Sequence, residues 1–172
     1  IVGLIKRELM ERWPLVDEII VMDGLSSDAT PEQARRAGAQ VYGTDDLLSD
    51  ISRNCGKGTV MWKSLAVARG DIITFIDADI QNFSPRFIYG LIGPMLQNRT
   101  ILFSKAFYTR PLRTNNELMY GFGGRVTEIL VRPLLQGFYP AMVDIVQPLA
   151  GEYALRREVA RQCRFPQGYG VD

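Results

Sequence analysis

Gly70-Asp71-Ile72-Ile73-Thr74-Phe75-Ile76-Asp77-Ala78-Asp79 holds the stretch that decides the fold class. Five apolar or β-branched residues, Ile72 to Ile76, run without interruption between a glycine and an acidic triplet, the pattern of a strand buried on both faces. Upstream, Gly58 to Arg69 carries Met61, Leu65 and Ala68 on one helical face, and Gly70 closes that helix. Downstream, Ser84-Pro85 opens a helix to about Gln97, and Ile101 to Tyr108 follows as a further strand. Helix and strand alternate, which predicts an α/β fold with a mainly parallel sheet.

The same alternation extends toward the N-terminus. Val2, Ile5, Leu9 and Trp13 recur at helical spacing before Pro14, predicting a surface helix. Ile19 to Met22 is a short strand ending in Asp23-Gly24. Thr30-Pro31-Glu32-Gln33 supplies an N-cap, a first-turn proline and a capping-box residue. Gly38 ends that helix, and Ala39 to Tyr42 is the next strand. Beyond Tyr108 the order loosens into a polar connection through Arg110, Arg113 and Asn116, then a glycine cluster and a helix from near Arg125. Val126, Ile129, Leu130 and Leu134 form its apolar stripe, and Pro133 either kinks the helix or restarts it. Gly151 to Leu155 is a candidate last strand.

Composition narrows the function classes. The 172 residues carry 20 Lys+Arg against 19 Asp+Glu, a net charge of +1, which argues against a dedicated nucleic-acid binder. With 47% hydrophobic and 23% charged residues, intrinsic disorder is excluded. No run approaches the ~18 apolar residues of a membrane span, and Ile1-Val2-Gly3 lacks a signal-peptide pattern, so a soluble chain is expected. Cys55 and Cys163 match no disulfide framework, in keeping with free thiols in a reducing cytoplasm. The chain contains no histidine, so no imidazole base, nucleophile or metal ligand comes from within it. An opening inside a helical pattern and a stop at Tyr169-Gly170-Val171-Asp172 suggest part of a longer protein.

In open α/β sheets ligands sit at the carboxyl ends of strands, so Asp23-Gly24 and Asp77-Ala78-Asp79 are expected to line one crevice. Asp77 and Asp79, about 7 Å apart at their Cα atoms if extended, repel each other. A hard divalent cation sharing phosphate oxygens of a nucleotide diphosphate relieves that repulsion, and a plain helix cap or solvated loop is the other explanation. Gly56-Lys57-Gly58 sets a lysine at a helix N-terminus, where the dipole favours anions; this is either a pyrophosphate cradle or an exposed turn. Gly121-Phe122-Gly123-Gly124-Arg125-Val126-Thr127 repeats the conflict with an arginine, as a phosphate or carboxylate site or a glycine hinge. Two anion sites flanking a metal site suggest transfer between two phosphorylated small molecules. Glu152 and Asp172 either contact sugar hydroxyls or are structural.

Taken in order, Val21-Met22-Asp23-Gly24-Leu25-Ser26-Ser27-Asp28-Ala29-Thr30, Gly56-Lys57-Gly58, Phe75-Ile76-Asp77-Ala78-Asp79, Gly123-Gly124-Arg125-Val126-Thr127-Glu128 and Pro148-Leu149-Ala150-Gly151-Glu152-Tyr153 resemble the glucosyl-3-phosphoglycerate synthase family. Mannosyl-3-phosphoglycerate synthases are similar. The resemblance runs from about Ile19 to Asp172 and is most specific in the Gly-Gly-Arg-Val-Thr and Pro-Leu-Ala-Gly-Glu-Tyr segments. It implies a GT-A glycosyltransferase fold in a single domain over 1–172, with a Rossmann-like nucleotide-sugar part at about 1–108 and an acceptor part at about 109–172. The implied reaction moves glucose from UDP- or GDP-glucose to the 2-hydroxyl of 3-phosphoglycerate with retention, with Mg²⁺ or Mn²⁺, in a cytoplasmic homodimer without membrane insertion.

By match to the family motifs, Asp79 ligates the metal, Asp77 and Ala78 help hold the nucleotide donor, and Lys57 contacts the nucleotide moiety or the diphosphate. Gly24 and Leu149 line the nucleotide pocket. Gly124, Arg125, Val126 and Thr127 hold the acceptor phosphate, and Tyr169 and Asp172 lie near the transferred sugar. Lys57, Asp79, Arg125 and Asp172 are the implied catalytic set. The acceptor hydroxyl would attack from the leaving-group side without a protein nucleophile; a double displacement on Asp172 is the rival.

This sequence departs from the family pattern in four places. It lacks the first strand and a Pro-x-x-Asn-Glu-like base-binding segment, and it lacks the histidine metal ligand expected after the Gly-Tyr-Gly-Val-acid segment. Gly24 replaces an oxygen-bearing side chain, and Cys55 stands where proline is more familiar. Transfer of mannose from GDP-mannose, a membrane-associated transferase with a lipid or polysaccharide acceptor, and a non-catalytic nucleotide-binding module are the alternatives.

Overall fold

The opening helix starts as α1 (Val2–Ile5) and widens into π-type turns over Lys6–Arg12, burying Ile5 and Leu9. Trp13 sits outside that stripe. The helix stops at Arg12, one residue ahead of the position before Pro14, and the extended backbone at Trp13 leaves its side chain exposed. The computed structural model describes residues 1–49, 56–108, 112–114, 117–119 and 124–168. They fall into two units: Ile1–Ser104 joined by the chain from Glu152 onward, and Lys105–Gly151.

In the first unit, β1 (Ile20–Asp23) and β2 (Gln40–Gly43) pair in parallel, from Ile20↔Gln40 to Asp23↔Gly43, as the strand–helix–strand pattern requires. Between them runs α2 (Thr30–Ala37). Its N-cap is Ala29 rather than the expected Thr30, which is already helical. The Asp28 carboxylate accepts the Thr30 amide at 2.9 Å, satisfying one of the orphan donors of the first turn from two residues upstream. Bonding to Thr30, through its hydroxyl and then its amide, holds the Asp28 carboxyl below its ordinary value. Gly38 closes the helix at φ 103, the left-handed conformation that favours glycine.

Helix α3 (Lys57–Ser64) is shorter than the expected 58–69 and dissolves into turns before Gly70. Ser64 Oγ donates to Met61 O at 2.6 Å, a local bond that competes with helix continuation. The Glu18 carboxylate then accepts the amides of Arg69 and Gly70 at 2.6 and 3.1 Å, tying the approach to β1 to the approach to β3 (Ile72–Phe75). Helix α4 (Arg86–Gln97) buries Ile88, Leu91, Ile92 and Met95. Strand β4 (Phe103–Lys105) is the paired portion of the longer run expected at 101–108.

The second unit holds a feature that its polar composition concealed. Leu112–Thr114 (β5) and Glu117–Met119 (β6) pair antiparallel as a hairpin where a plain connection was expected. A helical segment follows, π-type over Thr127–Val131 and α-helical as α5 (Arg132–Phe138), so Pro133 restarts the helix in its first turn. The expected stripe of Val126, Ile129, Leu130 and Leu134 is solvent-facing, with Ile129 75% exposed. Arg132 instead fastens this segment, bonding Glu128 at 2.9 Å and Val146 O at 3.0 Å.

The chain returns to the first unit as β7 (Tyr153–Arg156), which lies between β3 and β4 and is followed by α6 (Arg157–Ala160). Here the expectation of parallel pairing stops, because β7 runs antiparallel to β3 from Ile72↔Arg156 to Phe75↔Tyr153. Side chains of this pair build a core of Met61, Ile73, Tyr153, Leu155 and Ala160, with Leu65, Ala68, Phe75 and Phe165 packed against it. Phe75 and Phe103 lie 5.3 and 5.6 Å from the Tyr153 ring, within the range of favourable aromatic contact. Removing a buried branched side chain from such a core leaves a cavity. Leu155→Ala is therefore expected to lower unfolding stability by about 2–5 kcal/mol, measured as a shift of the denaturant midpoint.

Candidate active site

The carboxyl end of β3 and the first turn of α3 converge in the first unit. Lys57 Nζ lies 3.0 Å from Asp77 Oδ1 and 3.4 Å from Oδ2, across twenty residues of sequence. Lys57 is the more buried partner, 20% exposed against 40% for Asp77. A cation in the first turn of a helix opposes the dipole, and Asp77 offsets part of that conflict. The ion pair still presents its ammonium at a rim that solvent reaches.

Gly56 explains why this turn needs glycine. A Cβ there would lie 2.5 Å from the Gly168 amide nitrogen and 2.9 Å from its Cα, and backbone has no room to yield. The Gly58 amide donates to Gly168 O at 3.1 Å, so the lysine turn and the 167–168 segment are stitched backbone to backbone. Gly24 is different: nothing lies within 4 Å of a Cβ built on it, and it is exposed beside Leu25, whose φ of 72 is left-handed. The Asp23 carboxylate accepts the Ser26 amide at 3.2 Å, which turns the chain away from β1 and leaves the Gly24 backbone open.

Ala78 and Asp79 are exposed, and Asp79 makes no hydrogen bond or ion pair among the described residues. No group of three carboxylate, cysteine or histidine side chains gathers to hold a metal among those residues. The donor set therefore fits a hard cation that takes one protein carboxylate and completes its shell with phosphate oxygens and water, as Mg²⁺ does at nucleotides. It does not fit a closed structural site.

In the second unit, Gly124 adopts φ 87 with open space around it, and its carbonyl accepts the Glu128 amide at 3.1 Å. Arg125 and Val126 are exposed and Thr127 is buried. Arg125 makes no hydrogen bond or ion pair among the described residues. Leu149 is partly exposed within the same unit, next to the buried Ala150. Gln147 anchors that stretch by pairing with the Tyr108 backbone at 2.9 and 2.7 Å. Tyr169, Asp172, Cys55 and the cluster Gly121 to Gly123 lie outside the described residues.

One supporting residue escaped the sequence pattern. Lys63, 1% exposed, donates to Thr44 O at 2.6 Å, while the Thr44 amide donates to Asp23 O at 2.9 Å. This chain of bonds ties α3 to the ends of β1 and β2. The apolar stripe of α3 hid it, because Gly58, Thr59, Met61, Lys63 and Ser64 are buried around most of the helix circumference.

Comparison with known proteins now gives this site a class. Residues 4–144 match Glycosyl transferase family 2, and the chain belongs to that family. It is 46% identical over 169 residues to the glucosyl-3-phosphoglycerate synthase of Petrotoga mobilis, covering 98% of this chain and 52% of that protein. The Mycolicibacterium smegmatis synthase is 43% identical over 158 residues, covering 92% of this chain and 52% of the relative. A crystal structure of glucosyl-3-phosphoglycerate synthase from Mycobacterium tuberculosis in complex with Mn²⁺, UDP-glucose and phosphoglyceric acid superposes with a TM-score of 0.80 at 38% identity. That match covers 99% of this chain and 56% of the other. The α/β glycosyltransferase fold expected from the sequence is the fold of these structures, and the chain spans about half the length of the curated relatives it matches.

The two glycines differ in what a side chain would meet. Gly56→Ala is expected to displace the Gly168 backbone and lower the melting temperature, whereas Gly24→Ser is expected to leave it unchanged. Thermal melts check both.

Proposed function

We propose that this chain carries the donor and acceptor sites of a metal-dependent, retaining transferase that moves glucose from UDP-glucose to the 2-hydroxyl of 3-phosphoglycerate. The observation that carries the proposal is the Lys57–Asp77 pair beside the exposed Asp79 carboxylate, in a chain similar to a synthase crystallised with Mn²⁺, UDP-glucose and phosphoglyceric acid. Gly24 offers backbone to the nucleoside and Ala78 adds surface beside it, while in the second unit Leu149 is assigned to the nucleotide by the family motif. Lys57 faces the diphosphate and stabilises charge that builds on it as the glycosidic bond breaks. Asp77 holds the ammonium in place. Asp79 is the residue to carry Mg²⁺ or Mn²⁺, which supplies further neutralisation of the leaving diphosphate.

Gly124, Arg125, Val126 and Thr127 supply backbone amides, a guanidinium fork and a hydroxyl for the phosphate of 3-phosphoglycerate. Orienting the acceptor hydroxyl toward the anomeric carbon from the leaving-group side needs no protein nucleophile, and a leaving phosphate oxygen accepts its proton. The family motifs assign Tyr169 and Asp172 to the transferred sugar; both lie outside the described residues. On the same reading, carried by the family resemblance alone, the protein acts in the cytoplasm as a homodimer. Among the described residues no helix is long and apolar enough to cross a membrane.

Product formation tests the reaction and its donor together. With 3-phosphoglycerate and Mg²⁺, turnover is expected from UDP-glucose in preference to GDP-glucose or GDP-mannose, and is expected to vanish on chelation. UDP binding without turnover from any donor would overturn the acceptor assignment. Arg125→Lys keeps the charge but loses the bidentate fork, so it is expected to raise the KM for 3-phosphoglycerate by about tenfold while leaving that for UDP-glucose unchanged. Asp172→Asn is expected to retain substantial turnover; its complete loss would favour the double displacement.

A further inference from the structure

Glu152 stands immediately before β7 and is 3% exposed, yet its Oε2 has no hydrogen-bond partner, and the side chain enters no ion pair among the described residues. Among the described residues Arg156 Nε is the other buried side-chain atom without a partner, but the same guanidinium reaches Met95 O at 2.9 Å. A buried carboxylate is costly unless something donates to it, so the ligand-free protein keeps Glu152 at the expense of its own stability. We propose that Glu152 is a further donor-site residue whose carboxylate accepts a hydrogen bond from a hydroxyl of the transferred hexose. The assignment rests on UDP-glucose being the donor.

Its place in the sheet carries the inference. The last pair between β3 and β7 is Phe75↔Tyr153. Continuing that register by one residue sets Glu152 beside Ile76, one step from Asp77 and its ion pair with Lys57. Strand side chains alternate, so Glu152 leaves β7 on the face opposite Tyr153 and stays out of the aromatic core; β3 ends at Phe75, so Asp77 lies beyond the paired register. An ionised carboxylate is an acceptor only. It repels a diphosphate but matches a hydroxyl, and the hexose is the hydroxyl-rich group bonded directly to that diphosphate. The ribose hydroxyls belong with the nucleoside, which the proposed donor site sets at Gly24, at the end of β1.

Binding measurements on the intact protein separate the possibilities. Glu152→Gln keeps the shape and removes the charge. It is expected to leave the ligand-free melting temperature unchanged or higher, to leave UDP affinity unchanged, and to weaken UDP-glucose binding by about tenfold. In the wild type, one mono-deoxy UDP-glucose is expected to bind about tenfold more weakly than UDP-glucose; in Glu152→Leu that difference disappears. Equal affinities of wild type and Glu152→Gln for UDP-glucose, or an equal loss for UDP and UDP-glucose, would overturn the proposal while leaving the donor assignment standing. If Glu152→Gln failed to fold, a full deoxy-donor series with no weakened member in the wild type would overturn it equally. A wild-type protein that binds neither UDP nor UDP-glucose would instead remove the donor assignment, and this proposal with it.

Discussion

An ammonium group 3.0 Å from a strand-end carboxylate marks the point where the start of α3 meets the end of β3, and the candidate site is arranged around that point. The pair itself contributes little free energy, about 0–1 kcal/mol at such exposure. Its position is set by stronger forces: α3 is buried around most of its circumference, Lys63 locks it to the end of β2, and Gly56 touches the Gly168 backbone. Burial sets the geometry, and the ion pair expresses it as a positive edge beside an exposed carboxylate.

Two local rules are broken in this chain, each at a helix start. Lysine in the first turn of α3 and Arg125 beside Gly124 both place cations where the helix dipole favours anions. Asp77 answers the first in part, while nothing among the described residues answers the second. Glu152 is the converse case, a carboxylate in the interior without a donor. Stability alone would remove such residues. Each is a local cost to stability of the kind found at functional sites.

Sheet topology decides which of these residues meet. Inserting β7 antiparallel between β3 and β4 brings the segment after Gly151 back beside Phe75 and Ile76, so residues 75 and 153 become neighbours. The aromatic contacts of Tyr153 with Phe75 and Phe103 hold that register, because a one-residue slip would turn Tyr153 out of the core and Glu152 into it.

Periodicity and punctuation in the sequence determined the local elements: the apolar run 72–76, the stop at Gly38, a break at Pro133 that the structure resolves as a restart, and the order of helices and strands. The candidate residues were legible for the same reason, since acids at a strand end and glycine-flanked cations are local patterns. Pairing direction was not, because an apolar run looks alike whether its neighbour is parallel or antiparallel. The hairpin at 112–119 was hidden by polar residues whose pairing is decided by backbone hydrogen bonds. The solvent-facing stripe of Val126, Ile129 and Leu130, and the burial of Lys63 and Glu152, depend on what packs against each face. Spacing along the chain carries no such information, so only the tertiary structure decided which charges pair, which are buried and which stay open.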